Sequence, residues 1–134
     1  MSAEYRTTRR IEFADTDMAG IAHFSRFIVF MEAAEHEFLR SLGLSVHLHH
    51  AGDIISWPRL KTSCEYFRPV YFEDLLDIHL QIVHRGNKSL GYQFDFYKGE
   101  DHIARGELKV ACCICNPGEK MRAISVPAFI AEKI

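Results

Sequence analysis

No run in this 134-residue sequence approaches the apolar length needed to cross a bilayer, and Met1-Ser2-Ala3-Glu4-Tyr5-Arg6 lacks the apolar core of a signal peptide. A cytoplasmic protein with no membrane role is therefore expected. Net charge is nearly absent too. Sixteen Lys and Arg against 18 Asp and Glu leave −2, which gives no electrostatic reason to expect nucleic acid. Cys112 and Cys115 stand at Cys-x-x-Cys spacing, but no second such pair accompanies them, so the four cysteines do not read as a zinc site. Cys112, Cys113 and Cys115 crowd into one apolar run, where strand neighbours point to opposite faces, and buried reduced thiols are expected. No linker, repeat or low-complexity stretch interrupts the chain, so residues 1–134 are expected to form a single domain.

What is present suits a globular core: 48% of residues are hydrophobic and 25% charged. Residues 5 to 13 alternate, with Tyr5, Thr7, Ile11 and Phe13 on one side and Arg9 interrupting that set, which predicts a strand with one wet face. From Phe24 to Leu42 the period changes. Phe24, Phe27, Ile28, Met31, Ala34, Phe38 and Leu42 recur at helical spacing, Val29, Phe30 and Ala33 add apolar groups on the other sides, and Gly43 is a C-terminal stop. A helix apolar nearly all round in its first half is expected to be buried, wrapped by a sheet.

After a His-rich loop at 45 to 53, alternation returns in four strands marked by Leu60 to Tyr66, Leu76 to Ile82, Leu90 to Phe96 and Ala104 to Ile114. Turns at Arg85-Gly86-Asn87-Lys88 and Lys98-Gly99-Glu100-Asp101 make hairpins of them, and Pro127 opens a short closing helix. The order β-α-β-β-β-β gives an α+β domain with an antiparallel sheet.

The segment joining the first strand to the helix, Ile11 to Phe24, carries Asp15 and Asp17 ahead of a helix N-terminus and then Gly20, which permits close backbone approach. On the residues alone the commoner arrangement is a cap, with one aspartate accepting helix amides. The functional alternative is a carboxylate acting as nucleophile or general base beside amides that hold an oxyanion.

The pattern Ile11-Glu12-Phe13-x-Asp15-x-Asp17-x-Ala19-Gly20-Ile21 resembles the hotdog-fold acyl-CoA thioesterases of the 4-hydroxybenzoyl-CoA thioesterase and YbgC-like group. Arg85-x-x-Lys88-Ser89 and Arg122-Ala123-Ile124-x-Val126-Pro127 support the resemblance, which with the element order spans almost the whole chain. It implies a five-stranded antiparallel sheet around one long central helix, and hydrolysis of an acyl- or aryl-CoA thioester. It makes Asp17 the catalytic carboxylate and the backbone N–H of Phe24 the oxyanion donor, with Gly20 shaping the loop between them. Arg85, Lys88, Ser89, Lys120 and Arg122 become candidates for the phosphates of coenzyme A, and His23 a candidate pocket residue. Trp57, at the start of a strand, is a further candidate for the acyl pocket, although core packing is the commoner role of a lone tryptophan. The resemblance further implies a homodimer or homotetramer, with coenzyme A lying between protomers. No metal or cofactor is needed, because the thiolate of coenzyme A leaves readily.

Two other readings stand beside this one. His23-Phe24 partly matches the His-Phe-Pro-Gly signature of hotdog hydroxyacyl-thioester dehydratases, although Ser25 and Arg26 stand where Pro and Gly belong. A non-catalytic acyl-CoA-binding module would have no need of Asp17. His47-Leu48-His49-His50 is the one other concentration of ligand-type side chains, and it lacks a carboxylate or cysteine partner at ligand spacing.

Overall fold

The computed structural model describes residues 3–134. In chain order it contains β1 (Glu4–Arg10), a 3-10 turn (Phe13–Asp15), α1 (Arg26–Ser41), β2 (His47–His50), β3 (Asp53–Ser56), β4 (Arg59–Tyr66), β5 (Leu75–Arg85), β6 (Ser89–Lys98), β7 (Asp101–Ala111), β8 (Cys113–Ile114), β9 (Arg122–Ala123) and α2 (Ala128–Ala131). Five strands form an antiparallel sheet in the order β1-β5-β6-β7-β4, and α1 packs against one face of it. No helix among the described residues is long and apolar enough to cross a membrane.

Alternation explains the sheet. In β5, Leu76, Ile78, Leu80 and Ile82 point into the core, and in β6 Leu90, Tyr92, Phe94 and Phe96 do the same, all facing α1 through Phe27, Phe30, Met31, Ala34 and Phe38. Burying a side chain of this size contributes about 1.5–3 kcal/mol, so this one interface accounts for most of the fold's drive. Gly106 lets α1 approach β7, since a Cβ there would fall 2.1 Å from the Met31 sulfur. Arg9, the residue that breaks the alternation of β1, stays half-buried by setting its guanidinium 5.0 Å from the centre of the Phe30 ring.

Several expectations are corrected. The His-rich stretch is not a loop: β2 pairs with β3, β3 with β8 and β8 with β9, forming a second, four-stranded sheet. Its hairpin turns at Ala51 and Gly52, with φ of 50° and 83°. Alanine is a poor marker for a left-handed position, which hides the turn from the sequence. The last long strand divides at Cys112, whose N–H donates to Lys88 O in the large sheet, while Cys115 N–H donates to Ile54 O in the small one. The first strand ends at Arg10 rather than Phe13, because the 3-10 turn breaks the alternation and leaves Phe13 78% exposed. Nor is α1 buried all round. Ile28 and Val29 are 39% and 40% exposed, since one sheet covers only one side of a helix.

Candidate active site

The chain leaves β1 and folds back on itself around Asp15. This aspartate is 1% exposed, and both side-chain oxygens are occupied: Oδ2 accepts Glu12 N–H and Oδ1 accepts Arg26 Nε–H, each at 2.8 Å. Its carbonyl accepts His23 N–H at 2.8 Å. Asp15 therefore ties the end of β1 to the start of α1, a charge-assisted anchor buried with all its acceptors engaged.

Asp17, two residues on, sits differently. It is half-exposed, and its side chain has one hydrogen bond, from Ala19 N–H to Oδ1 at 2.8 Å. The loop closes through Asp17 N–H to Ile21 O at 2.9 Å and Gly20 N–H to Asp17 O at 3.0 Å, and is held by isolated bridges from Thr16 to Ala22 and from Ile21 to Tyr71. Gly20 takes a φ of +82°, which favours glycine, and a Cβ there would meet nothing of the chain itself within 4 Å.

At the entrance to α1 the amides are treated unequally. His23 N–H goes to Asp15 O, Arg26 N–H goes to His23 O at 2.9 Å, and Ser25 N–H goes to His23 Nδ1 at 3.3 Å. Phe24 N–H, between them, has no partner among the described residues. Phe24 O accepts the Tyr66 hydroxyl at 3.0 Å, so residue 24 is held on both sides while its own amide stays unpaired. An unpaired amide at a helix start is a ready donor to a developing negative charge.

Asp17 and Phe24 line one cleft of about 510 Å³, together with Ile21, Phe27, Tyr66 and Val70. Its wall is chiefly apolar, and Phe24, one of its lining residues, is 64% exposed. The ring of Phe24 meets Tyr66 edge-on at 6.5 Å, and Phe27 meets Tyr66 at 5.3 Å. A carboxylate, an unpaired amide and an apolar wall can together activate a nucleophile, hold an oxyanion and seat an acyl group.

The basic residues lie elsewhere. Arg85 ends β5 and Ser89 begins β6, with Lys88 in the turn between them, and Arg122 pairs with Ile114 in β9, two residues after Lys120. The two segments are joined: Val126 N–H donates to Asn87 O at 2.8 Å, and Asn87 Nδ2 donates to Ser125 Oγ at 3.0 Å. They meet at the far end of the sheet from Asp17, because Leu75 of β5 opposes Arg10 while Arg85 lies ten residues along. At about 3.3 Å per residue the separation is roughly 33 Å.

Two further candidates fall outside the cleft. Trp57 is buried in the core, its carbonyl accepting from Arg59. His23 stacks on Phe24 at 4.6 Å and turns its Nδ1 toward Ser25 Oγ at 2.8 Å, so it shapes the turn without lining the cleft. His47 and His49 lie with ring centres 5.3 Å apart on exposed β2, and no third ligand-type side chain joins them among the described residues. Sequence reasoning missed Tyr66, Phe67 and Arg68 as cleft residues. Their only signal is that β4 is exposed along nearly its whole length yet ends in Tyr66-Phe67, an aromatic pair with no sheet-face reason to be there.

A family model described as the thioesterase-like superfamily matches residues 11–134. Among curated proteins, the 1,4-dihydroxy-2-naphthoyl-CoA hydrolase of Synechococcus elongatus is 28% identical over 102 residues, covering 75% of this chain and 73% of that protein. The acyl-CoA thioester hydrolase YbgC of Escherichia coli is 24% identical over 133 residues, covering 96% and 94%. Among solved structures, a variant of a 4-hydroxybenzoyl-CoA thioesterase complexed with 4-hydroxybenzoyl-CoA superposes with a TM-score of 0.81 at 23% identity, covering 98% of this chain and 99% of that one. That likeness carries the fold, which is the hotdog.

Proposed function

This chain belongs to the thioesterase-like superfamily, and from that premise we propose that it hydrolyses an acyl- or aryl-CoA thioester to the free acid and coenzyme A, with Asp17 as the catalytic carboxylate. The observation that carries the reading is the pairing of Asp17 with the unpaired Phe24 N–H on the walls of one apolar cleft. The thioester carbon sits between them and its oxygen accepts the Phe24 N–H. Asp17 then acts in one of two ways. Its carboxylate oxygen attacks the carbonyl carbon, the C–S bond breaks with the electron pair leaving on sulfur, and water cleaves the resulting anhydride. Alternatively Asp17 takes a proton from water, which attacks directly. In both, charge grows on the carbonyl oxygen, where a fixed amide stabilises the transition state more than the ground state. Neither route needs a metal or cofactor.

The basic cluster completes the site only between protomers. A single substrate spanning Asp17 and the phosphate-binding candidates Arg85, Lys88, Ser89, Lys120 and Arg122 of one chain would have to cover the length of the sheet. Strand β4 offers the solution, since it is an outer strand exposed along nearly its whole length, and an unpaired edge is normally covered. Pairing β4 with its two-fold mate antiparallel sets the Tyr66 end of one protomer beside the Arg59 end of the other. That arrangement brings one protomer's Asp17 end alongside its partner's basic end. A homodimer is thus the smallest active unit.

The test is turnover of a panel of aryl- and fatty-acyl-CoA thioesters by the purified protein and by Asp17→Asn. Hydrolysis by the first alone is expected, and a panel untouched by the wild-type protein would sink the reading. Dilution below the dimer's dissociation constant should lower specific activity, by mass action. A fully active monomer would remove the shared site. Arg122→Ala should raise KM for acyl-CoA but not for a truncated thioester without the nucleotide.

A further inference from the structure

The thioesterase reading leaves one feature of the cleft unused. Phe24 lies in a turn that enters α1 without the help usually given to a helix start, because Ser25, in the capping position, makes no side-chain cap and spends its hydroxyl on His23 Nδ1. On the N-terminal side the turn is held by His23 N–H to Asp15 O. On the C-terminal side the main-chain bond from Phe27 N–H to Phe24 O is long, at 3.4 Å, and the short contact on that carbonyl is the Tyr66 hydroxyl at 3.0 Å. Tyr66 comes from the end of β4, where it opposes Ala104 of β7, so its position is set by the sheet and not by the turn it holds.

We propose that Tyr66 is a positioning residue for the hydrolysis, aiming the Phe24 N–H at the developing oxyanion through its hydrogen bond to the Phe24 carbonyl. The inference rests on the thioesterase reading and adds a residue to it. A donor contributes to the transition state only when it points at the place the oxyanion will occupy, and a displacement of the order of 1 Å can cost about a hundredfold. Without the Tyr66 bond the Phe24 carbonyl keeps, among the described residues, only the long contact from Phe27 N–H at 3.4 Å. Ground-state binding of the coenzyme, made elsewhere, does not depend on that aim. The hydroxyl is suited to the task across the working pH range, since loss of solvation and the neighbouring Cys64 thiol push its pKa up to about 12 and it stays a donor. The edge-on contacts of the ring with Phe24 and Phe27 are independent of the hydroxyl, so removing the oxygen alone leaves the wall of the cleft in place.

Tyr66→Phe isolates the bond. The expected result is a fall in kcat of about ten- to hundredfold with KM and melting temperature unchanged, together with a shifted or broadened ¹⁵N–¹H resonance for the Phe24 amide. An unchanged kcat overturns the proposal. So does a fall in kcat that tracks a loss of thermal stability, which would make Tyr66 a packing residue, and so does a raised KM at constant kcat, which would put its hydroxyl on the substrate. If the wild-type protein turns over no thioester, the function itself is wrong. The amide resonance still decides whether Tyr66 holds residue 24, and an unperturbed resonance in Tyr66→Phe overturns that too.

Discussion

The turn at residues 12 to 16 and the loop at residues 17 to 21 are neighbours on the chain, each built around an aspartate, and they use the same side chain in opposite ways. Asp15 is buried with every acceptor filled, by Glu12 N–H, Arg26 Nε–H and, at its carbonyl, His23 N–H. Asp17 is half-exposed at a cleft with one bond to its carboxylate, from Ala19 N–H. A buried carboxylate with a donor fixed on each oxygen holds structure together. One held by a single bond keeps free lone pairs for a reacting atom, while its aim is still defined. The pair teaches that two aspartates of one motif can sit in different surroundings, one buried with a donor on each oxygen and one half-exposed at a cleft with a single donor.

The largest expected effect breaks this contrast on the reactive side. Asp17→Asn keeps the size and the Ala19 contact but removes the charge. Turnover should fall by about a hundred- to ten-thousandfold, with urea unfolding midpoint and oligomeric state unchanged. Turnover near the wild-type rate would reduce Asp17 to a second structural turn. Next comes the anchor. Asp15→Ala leaves Glu12 N–H and the Arg26 guanidinium without their acceptor, and should cost about 2–4 kcal/mol of stability, read from chemical denaturation. A variant as stable as the wild type would show that the turn does not need its anchor.

The smallest effect sharpens the contrast with a third carboxylate. Asp95, on the outer face of β6, is held like Asp15, accepting Arg105 Nε–H at 2.8 Å, His102 Nε2–H at 2.8 Å and Gln93 Nε2–H at 3.2 Å. Burial alone would raise its pKa, but donation from Arg105, and then from His102 and Gln93, outweighs burial and holds the carboxyl below the ordinary range. A depressed folded-state value stabilises the fold above the unfolded pKa of about 4, and that stabilisation is lost as pH falls through the folded one. Asp95→Asn should therefore cost about 1–2 kcal/mol at neutral pH, with kcat untouched, and the gap to wild type should close in acid. Denaturation midpoints measured between neutral pH and about pH 3 check the sign. A gap constant over that range would mean the charge contributes nothing.

A buried carboxylate in the middle of α1 shows where the same logic fails to mark a site. Glu35 is 0% exposed and meets Arg59 through both guanidinium nitrogens, and burial raises its pKa despite that partner. It lines no part of the cleft with Asp17, and Arg59 donates to both of its carboxylate oxygens. Perturbation alone would have nominated Glu35. Free lone pairs and a shared cleft nominate Asp17.

Much of the fold was legible because it rests on periodicity. The switch from period two to helical spacing and back located α1 and four of the strands, and the turns at Gly86 and Gly99 joined the hairpins as expected. The small sheet was not legible. Its strands are two to four residues long, too short for a period to declare itself, and its turn is made by Ala51 where Asn or Asp would have signalled it. The carboxylate pair was legible as a motif. On the residues alone, however, a cap and a nucleophile look the same, since both are an aspartate before a helix.

The sequence by itself determined the alternation that makes the sheet, the apolar face of the helix and the presence of two aspartates followed by a glycine. All of these are local, and each follows from a residue and its near neighbours. The tertiary structure decided which aspartate is saturated, because the donors that fill Asp15 include Arg26, eleven residues on. It decided that Tyr66, 42 residues from Phe24, closes the cleft and holds its carbonyl. It also decided that the basic turns lie at the other end of the sheet. Those facts depend on which distant segments the sheet register brings together, and the energy that sets register comes from burying the core as a whole, not from any residue that later does chemistry.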